Sequence, residues 1–98
     1  QLIYKNLILF PQARKAQAAG RDLSLTAHEY DILTLLVQNP QKVYSRERLY
    51  ELIWKGGYYG ENNTVNVHVS NLRKKLKDAD PDTEYIQTVY GIGFKLKE

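Results

Sequence analysis

The chain has 98 residues, and its 14 lysines and arginines against 11 aspartates and glutamates give a formal net charge of +3. A chain of this length buries about 60 to 65% of the surface of its unfolded form, enough for one domain but not for a cleft between two domains. The absence of cysteine excludes disulfides, thiolate metal sites and cysteine nucleophiles, and two histidines alone cannot complete a metal site. We therefore expect no metal, no cofactor and no enzymatic activity.

Neither a membrane span nor a secretion signal is apparent. No stretch approaches the roughly 20 apolar residues that cross a bilayer, and residues 1–10 lack the basic-then-apolar order of a signal peptide. We expect a cytoplasmic protein that does not act at a membrane. The charge of +3 favours a polyanionic partner only weakly, because solvated lysines give many domains the same balance.

Turn-forming residues separate short apolar segments in the first 25 residues, a pattern typical of a small antiparallel sheet. The segments are Leu2 to Tyr4, Leu7 to Phe10 and the alternating Leu23-Ser24-Leu25. A capping box follows, in which Thr26 and Glu29 can each bind the other's backbone N–H. It predicts a mostly buried first helix that ends at Asn39-Pro40.

A second, shorter helix is predicted from its N-cap residue, Ser45, to about Trp54. Glu47 lies in its first turn, where the helix dipole favours a negative charge. Residues 55–60 then contain three glycines together with Tyr58 and Tyr59. This composition predicts a loop.

The helical period returns at about Asn63 and continues to about Lys77. At about 100° per residue, one face is an apolar stripe, formed by Val65, Val69, Leu72 and Leu76. The opposite face carries Val67, Ser70, Asn71 and Lys74. It suits the major groove of DNA, where basic groups bind phosphates, amides read base edges and methyl groups contact thymine. The alternative is a solvated surface whose C-terminal cations, Arg73 to Lys75 and Lys77, only complement the helix dipole.

A turn and a hairpin are predicted at the end of the chain. We interpret the alternating Asp78, Asp80 and Asp82 as a solvated turn, since the glycine and distal glutamate of a calcium loop are missing. Residues 85–89 and 94–96, joined around Gly91-Ile92-Gly93, predict a β-hairpin. A helix, a short helix, a basic helix and a hairpin follow one another as in a winged helix-turn-helix.

Motifs in a fixed order and spacing run along nearly the whole chain. They are Leu25-Thr26, Glu29, Leu33, Leu36, Asn39-Pro40, Val43, Ser45-Arg46, Leu49, Trp54, Thr64 to Val69, Leu72 to Leu76 and Ile86 to Phe94. Together they resemble the OmpR/PhoB-type effector domain of bacterial two-component response regulators. The resemblance implies an α+β fold over residues 1–98, with a four-stranded N-terminal antiparallel sheet, a three-helix core and a C-terminal hairpin wing.

The resemblance also implies a function and partners. Such domains bind double-stranded promoter DNA as homodimers on direct repeats and regulate transcription initiation, with the third helix in the major groove. A receiver domain precedes them, and its phosphorylation through a sensor kinase promotes dimerisation and DNA binding. Because Gln1 opens almost directly into a strand, we expect this chain to be such a C-terminal domain without its receiver.

The same resemblance implies which individual side chains contact DNA bases, the DNA backbone and RNA polymerase. Val67 would contact a thymine methyl, Asn71 would read adenine, and Tyr90 would lie at or in the minor groove, which predicts an A/T-leaning half-site. The groups expected at the DNA backbone are Arg46, Trp54, Asn63, Thr64, Ser70, Arg73, Lys74, Lys77 and Thr88. Tyr58 and Tyr59 would contact RNA polymerase, unless they pack on the domain's own surface.

The chain departs from the family's pattern at DNA-facing positions. Asn62-Asn63 stands where relatives commonly have Asp-Arg, Ser70 and Asn71 stand where basic residues are frequent, and Tyr90 stands where the wing often has arginine. The relatives' target sequence therefore does not carry over. His68 either packs structurally or approaches a phosphate, which it would bind better when protonated.

Three other interpretations stay open. The domain could belong to a membrane-anchored activator that carries this fold at its N-terminus, or it could be an enzyme, although no nucleophile with a base is apparent. The reduced charge at Asn63, Ser70 and Asn71 could instead mark a winged helix that binds protein. Salt dependence distinguishes the last case, because for a DNA binder with about four to six phosphate contacts a plot of log affinity against log salt concentration has a slope of about −4 to −5.

Overall fold

A computed structural model of the chain describes residues 1–55 and 62–98. The described elements are β1 (Leu2–Tyr4), β2 (Leu7–Phe10), β3 (Lys15–Ala18), β4 (Arg21–Leu23), α1 (Ala27–Gln38), α2 (Arg46–Trp54), α3 (Asn62–Ala79), β5 (Ile86–Val89) and β6 (Gly93–Leu96). This order confirms the predicted α+β winged helix-turn-helix. Of the predicted loop at 55–60, Tyr58 and Tyr59 lie outside the described residues.

The N-terminal sheet is antiparallel with the strand order β1-β2-β3-β4. Alternate residues of its central strands face the helices, so that Leu9 pairs with Ala16 and Leu7 pairs with Ala18, all four buried. The apolar segments of the sequence did not indicate β3, because alanine is a weak strand former. The sheet ends at Leu23, and Leu25 lies beyond it.

Side-chain caps begin the first two helices, as predicted. In α1, Thr26 Oγ1 accepts a hydrogen bond from the Glu29 backbone N–H at 3.2 Å, and Glu29 Oε1 accepts one from the Thr26 N–H at 2.9 Å. In α2, Ser45 Oγ accepts a bond from the Arg48 N–H at 3.0 Å. These caps satisfy backbone donors that have no partner within the helix.

The third helix is longer than predicted. It starts one residue earlier, at Asn62, and ends at Ala79 rather than near Lys77. The predicted apolar stripe is buried against the core, and Ala79 extends that stripe by one more buried position. The sheet, α1 and α2 all contact this face, which leaves the opposite face of α3 to solvent.

The prediction of a solvated turn at residues 78–82 is wrong for Asp80. Its side chain is 5% exposed, and Oδ2 accepts hydrogen bonds from the Tyr85 hydroxyl at 2.6 Å and from Asn6 Nδ2 at 3.2 Å. The bond from Tyr85 lowers the pKa of Asp80, and the bond from Asn6 adds to this against the opposing effect of burial. Asp80 thus joins the end of α3 to the β1–β2 turn, whereas Asp78 and Asp82 are exposed.

The C-terminal hairpin of β5 and β6 docks on the segment between α1 and α2. Tyr44 and Phe94 exchange two backbone hydrogen bonds, both of 2.8 Å. A Cβ on Gly93 would lie 1.9 Å from the Tyr44 carbonyl oxygen, so this approach requires glycine. The base of the hairpin is therefore held by backbone contacts.

Candidate nucleic-acid interface

The face of α3 opposite the core is exposed along its length. Val67 is 52% exposed, whereas Val65 and Val69 on the inner face are each 1% exposed. The other exposed side chains on the outer face and its edges are Asn63, Ser70, Asn71, Lys74 and Lys77, and Thr64 is half-buried. The helix thus presents a valine, small polar groups and cations to solvent, and residues 62–77 contain no acidic side chain.

The four cations at the C-terminal half of α3 have different environments. Lys75 turns inward, and its Nζ lies 2.6 Å from Oε1 of Glu29, which is 2% exposed. Burial alone would raise the pKa of Glu29, but hydrogen bonds from Lys75 and Thr26 outweigh it and hold that pKa below its usual value. Lys75 therefore neutralises the buried Glu29, while Lys74 and Lys77 extend into solvent.

Arg73 reaches across to the hairpin. Its Nη2 donates hydrogen bonds to the Thr88 hydroxyl oxygen at 2.6 Å and to the Ile86 carbonyl oxygen at 3.2 Å. The guanidinium carbon lies 5.7 Å from the centre of the Phe94 ring. Burial lowers the pKa of Arg73, but an arginine stays protonated at any physiological pH.

Two grooves border the hairpin. One, of about 580 Å³, lies between α3 and β5, and its lining includes five of the predicted backbone-contact residues: Ser70, Arg73, Lys74, Lys77 and Thr88. The other lies between the hairpin tip and the helices, and its lining includes Arg46, Asn66, Thr88 and Tyr90. The fold thus brings together predicted site residues that are up to 44 positions apart in the sequence, from Arg46 to Tyr90.

The hairpin tip exposes two large apolar side chains. Tyr90 is 94% exposed and Ile92 is 60% exposed. Between them Gly91 has φ of 76°, and the Ile92 N–H donates to the Val89 carbonyl at 3.0 Å, which closes the turn. Sequence reasoning took Ile92 only as part of the turn, and the structure adds its side chain to the exposed surface of the tip.

Trp54 lies in an aromatic cluster at the end of α2. Its ring stacks on Tyr50 with centroids 5.1 Å apart and planes at 3°, and it lies 4.2 Å from His28 and 5.1 Å from His68. Nδ1 of His68 lies 2.8 Å from the Thr64 carbonyl oxygen, which can only accept, so Nδ1 carries the proton. The hydrogen bond to Thr64 supports a structural role for His68. Trp54 is half-buried, so part of its indole ring stays at the surface.

Within residues 1–55 and 62–98, histidine, aspartate and glutamate side chains form no group of three that could hold a metal ion. None of the described helices is long and apolar enough to cross a membrane.

Known proteins are similar to this chain in sequence and in fold. Residues 20–96 match the family described as "Transcriptional regulatory protein, C terminal". The transcriptional regulatory protein ResD of Bacillus subtilis is 37% identical over 97 residues, which are 98% of this chain and 40% of ResD. The chain therefore spans about two fifths of this longer relative.

Solved structures agree with the sequence match. The DNA-binding domain of CpxR from E. coli superposes with a TM-score of 0.83 at 32% identity, covering 97% of this chain and 93% of that one. The DNA-binding domain of the response regulator AdeR, solved in complex with an intercistronic region, gives a TM-score of 0.87 at 28% identity over 100% of this chain and 99% of that one. The chain belongs to the family of C-terminal domains of transcriptional regulatory proteins, with the winged helix-turn-helix fold of response-regulator DNA-binding domains.

Proposed function

We propose that this domain binds double-stranded DNA sequence-specifically and thereby regulates transcription initiation at promoters, as the effector domain of a two-component response regulator. The observation that carries the proposal is the outer face of α3, which is exposed, has no acidic residue from position 62 to 77 and is adjacent to the groove beside the hairpin. The family match supports the same conclusion, as does the likeness to the AdeR domain, which was solved in complex with an intercistronic region.

Sequence is read by two neighbouring side chains of α3. Val67 and Asn71 are one helical turn apart and both exposed. A valine methyl group fits against the methyl group of thymine, and an asparagine amide can bind adenine through two hydrogen bonds. The half-site therefore contains A·T pairs opposite these residues.

Phosphates are bound on both sides of the base-reading residues. The groove between α3 and β5 has Lys74 and Lys77 on its helical side, and Thr88 on the hairpin side. The remaining proposed contacts to the DNA backbone are those of Arg46, Trp54, Asn63, Thr64, Ser70 and Arg73. Such contacts fix the register of α3 on the duplex without reading bases.

The hairpin tip lies at the minor groove. Tyr90 is almost fully exposed and carries both an apolar ring and a hydroxyl group, which suits a surface with sugar edges and base acceptors. An uncharged tyrosine gives less electrostatic attraction to a narrow groove than arginine would. We therefore expect Tyr90 to add modest affinity.

Further partners follow from the longer relatives. We propose that the domain pairs with a second copy on direct repeats, contacts RNA polymerase through Tyr58 and Tyr59, and receives its signal from a sensor kinase through a receiver domain. The chain covers only 40% of ResD, which leaves room for such a domain in a longer protein. Its place of action is then the cytoplasm, with the bacterial chromosome.

Selection against a random duplex library tests the proposal. The domain, and a tandem fusion that supplies pairing, are each incubated with the library at moderate salt, and bound sequences are recovered. We expect an A/T-leaning half-site repeated at a spacing of about 10 to 11 base pairs. A lack of any motif from the tandem fusion, together with a log-log salt slope well short of about −4, would contradict DNA recognition and favour a protein partner.

A further inference from the structure

Arg73 contacts both strands of the hairpin from the middle of α3. One terminal nitrogen, Nη2, bonds β5 twice, at the Ile86 carbonyl oxygen and at the Thr88 hydroxyl oxygen, 3.2 and 2.6 Å away. The guanidinium carbon is 5.7 Å from the Phe94 ring, which belongs to β6. Within the described ranges, both hydrogen bonds that join α3 to β5 therefore start from this side chain.

Arginine chemistry suits this role. The guanidinium group is planar and carries five N–H donors in a rigid arrangement, so it can hold two acceptors at a fixed angle and still have donors left. A lysine has the same charge, but its ammonium group is a point charge on a flexible stem and fixes no such plane. The contact at Ile86 uses a backbone oxygen, so it locates the strand itself.

The hairpin has a second anchor on the opposite side. Its other strand exchanges two backbone hydrogen bonds with Tyr44, and Gly93 permits that close approach. Ile86 and Leu96 pack the base of the hairpin into the core as well, so the freedom that remains is a change in the angle of β5 beyond Ile86. A second attachment at Arg73, on the strand that leads to the tip, removes this freedom.

The position of the tip depends on this second anchor. Tyr90 follows Thr88 by two residues, a distance of about 7 Å along an extended strand. Val67 and Asn71 lie on the same helix as Arg73. The side chain thus links the helix that carries the base-reading groups to the strand that carries Tyr90.

We propose that Arg73 is a positioning residue that fixes the angle between the hairpin and α3, and so makes DNA contacts by Tyr90 depend on the placement of α3. This inference rests on the proposed function. It assigns to Arg73 an action through the hairpin that is separate from any attraction between its charge and a phosphate.

A double-mutant cycle on the selected duplex tests the coupling. The variants are Arg73→Lys, Tyr90→Ala and the pair, with affinities measured by fluorescence anisotropy at several salt concentrations. We expect Tyr90→Ala to weaken the wild-type domain about tenfold, as loss of one groove contact does, and to weaken Arg73→Lys less than about threefold. Because the charge is kept, the salt slope of Arg73→Lys should equal that of the wild type.

Two results of the cycle would overturn the coupling. If the losses in affinity from the two substitutions simply multiply, the sites are uncoupled and Arg73 does not act through Tyr90. If Tyr90→Ala leaves wild-type affinity unchanged, the tip makes no contact for Arg73 to control.

A measurement without DNA tests the positioning role of Arg73 independently of the proposed function. We call the contacts of Arg73 with the hairpin the clamp. Residual dipolar couplings of backbone amides give the orientation of residues 86–92 relative to α3 in the free domain. We expect the hairpin of Arg73→Lys to lose the wild-type orientation, while α1 and α3 keep theirs. Arg14→Lys is the matched control, since its guanidinium bonds Asp31 of α1 at 2.8 Å. An unchanged hairpin orientation in Arg73→Lys rejects the clamp, whether or not the domain binds a duplex.

Discussion

The two antiparallel sheets of this domain use their apolar residues differently. In the N-terminal sheet, Leu7 and Leu9 are fully buried, and the turns that join its strands consist mainly of polar and small residues. The C-terminal hairpin buries Leu96, but it places Tyr90 and Ile92 at its turn, where they add nothing to the core. Ile3 of the N-terminal sheet is also 64% exposed, but it lies in an outer strand and not in a turn. We call the first sheet the scaffold, and the hairpin tip is the contact surface that we propose for DNA.

The attachments of the two regions differ as well. The N-terminal sheet is tied to the C-terminal part by side chains, since the Tyr4 hydroxyl donates to the Lys97 carbonyl at 2.6 Å and Asn6 bonds Asp80. The hairpin is held by the backbone of Tyr44 and by Arg73. Ile86, Phe94 and Leu96 also bury the base of the hairpin in the core, so Tyr44 and Arg73 act on the orientation of the part that leads to the tip.

Truncation of the scaffold core should have the largest effect. Leu9→Ala removes a fully buried side chain that lies opposite Ala16, a residue too small to fill the space. We expect the free energy of unfolding in urea to fall by about 2 to 5 kcal/mol. A loss below about 1 kcal/mol would mean that the sheet is not part of the main core.

The base of the hairpin should be the next most sensitive position. Gly93→Ala places a Cβ 1.9 Å from the Tyr44 carbonyl oxygen and breaks the close backbone pairing, so we expect a loss of about 2 to 4 kcal/mol. Gly91→Ala is the matched control, because nothing lies within 4 Å of its Cβ and only its φ of 76° is strained. Its cost should be about 1 kcal/mol. Equal losses in urea unfolding would contradict the docking of the hairpin on Tyr44.

Acid should lower the free energy of unfolding by weakening the hydrogen bonds of Asp80, which connect the N-terminal sheet to the C-terminal part. The pKa of Asp80 is lowered in the folded state by the bond from Tyr85, so its contribution is present above the unfolded pKa of about 3.9 and is lost as pH falls through the folded pKa. The same sign holds for Glu29, whose folded pKa is also lowered. We expect stability in urea to decline below about pH 5.

Asp80→Asn provides the control for this acid response. The variant should show a smaller decline in stability between about pH 5 and pH 3 than the wild type, because one linked carboxyl group has been removed. If its decline equals that of the wild type, Asp80 does not contribute to the acid response.

Truncation at the hairpin tip should have the smallest effect on stability. Tyr90→Ala removes a ring that is 94% exposed, so the free energy of unfolding should change by less than about 0.5 kcal/mol. DNA affinity should fall about tenfold at the same time. A tip variant that unfolds more easily but binds as well as the wild type would reverse the roles assigned to the two regions.

Local signals in the sequence predicted the helices and the exposed outer face of α3. The cap residues Thr26 and Ser45 fixed the starts of α1 and α2, because capping involves residues only three apart. The helical period of α3 separated the buried Val65 from the exposed Val67. These features depend on neighbours along the chain, which is why they could be predicted.

Long-range contacts account for what the sequence did not predict. Lys75 and Glu29 are 46 residues apart and Asn6 and Asp80 are 74 residues apart, so nothing nearby marks either pair. Four cations near the end of α3 look alike in the sequence, yet Lys75 turns to the core and Arg73 to the hairpin. The resemblance implied a fourth strand in the N-terminal sheet, but the apolar pattern did not indicate β3, because Ala16 and Ala18 become core residues only through their register with β2.

A matched pair of substitutions on α3 tests the central claim, that the outer face of this helix reads DNA sequence. Asn71 and Lys74 are both exposed and lie three residues apart, and neither is held by the hairpin as Arg73 is. Asn71→Ala should weaken binding to the selected duplex by about 1 to 3 kcal/mol, relax specificity at one base pair and leave nonspecific binding unchanged. Lys74→Ala should weaken binding to all duplexes alike and reduce the salt slope by about one. If both variants lose the same affinity on selected and random duplexes, the outer face of α3 does not read sequence and the central claim is wrong.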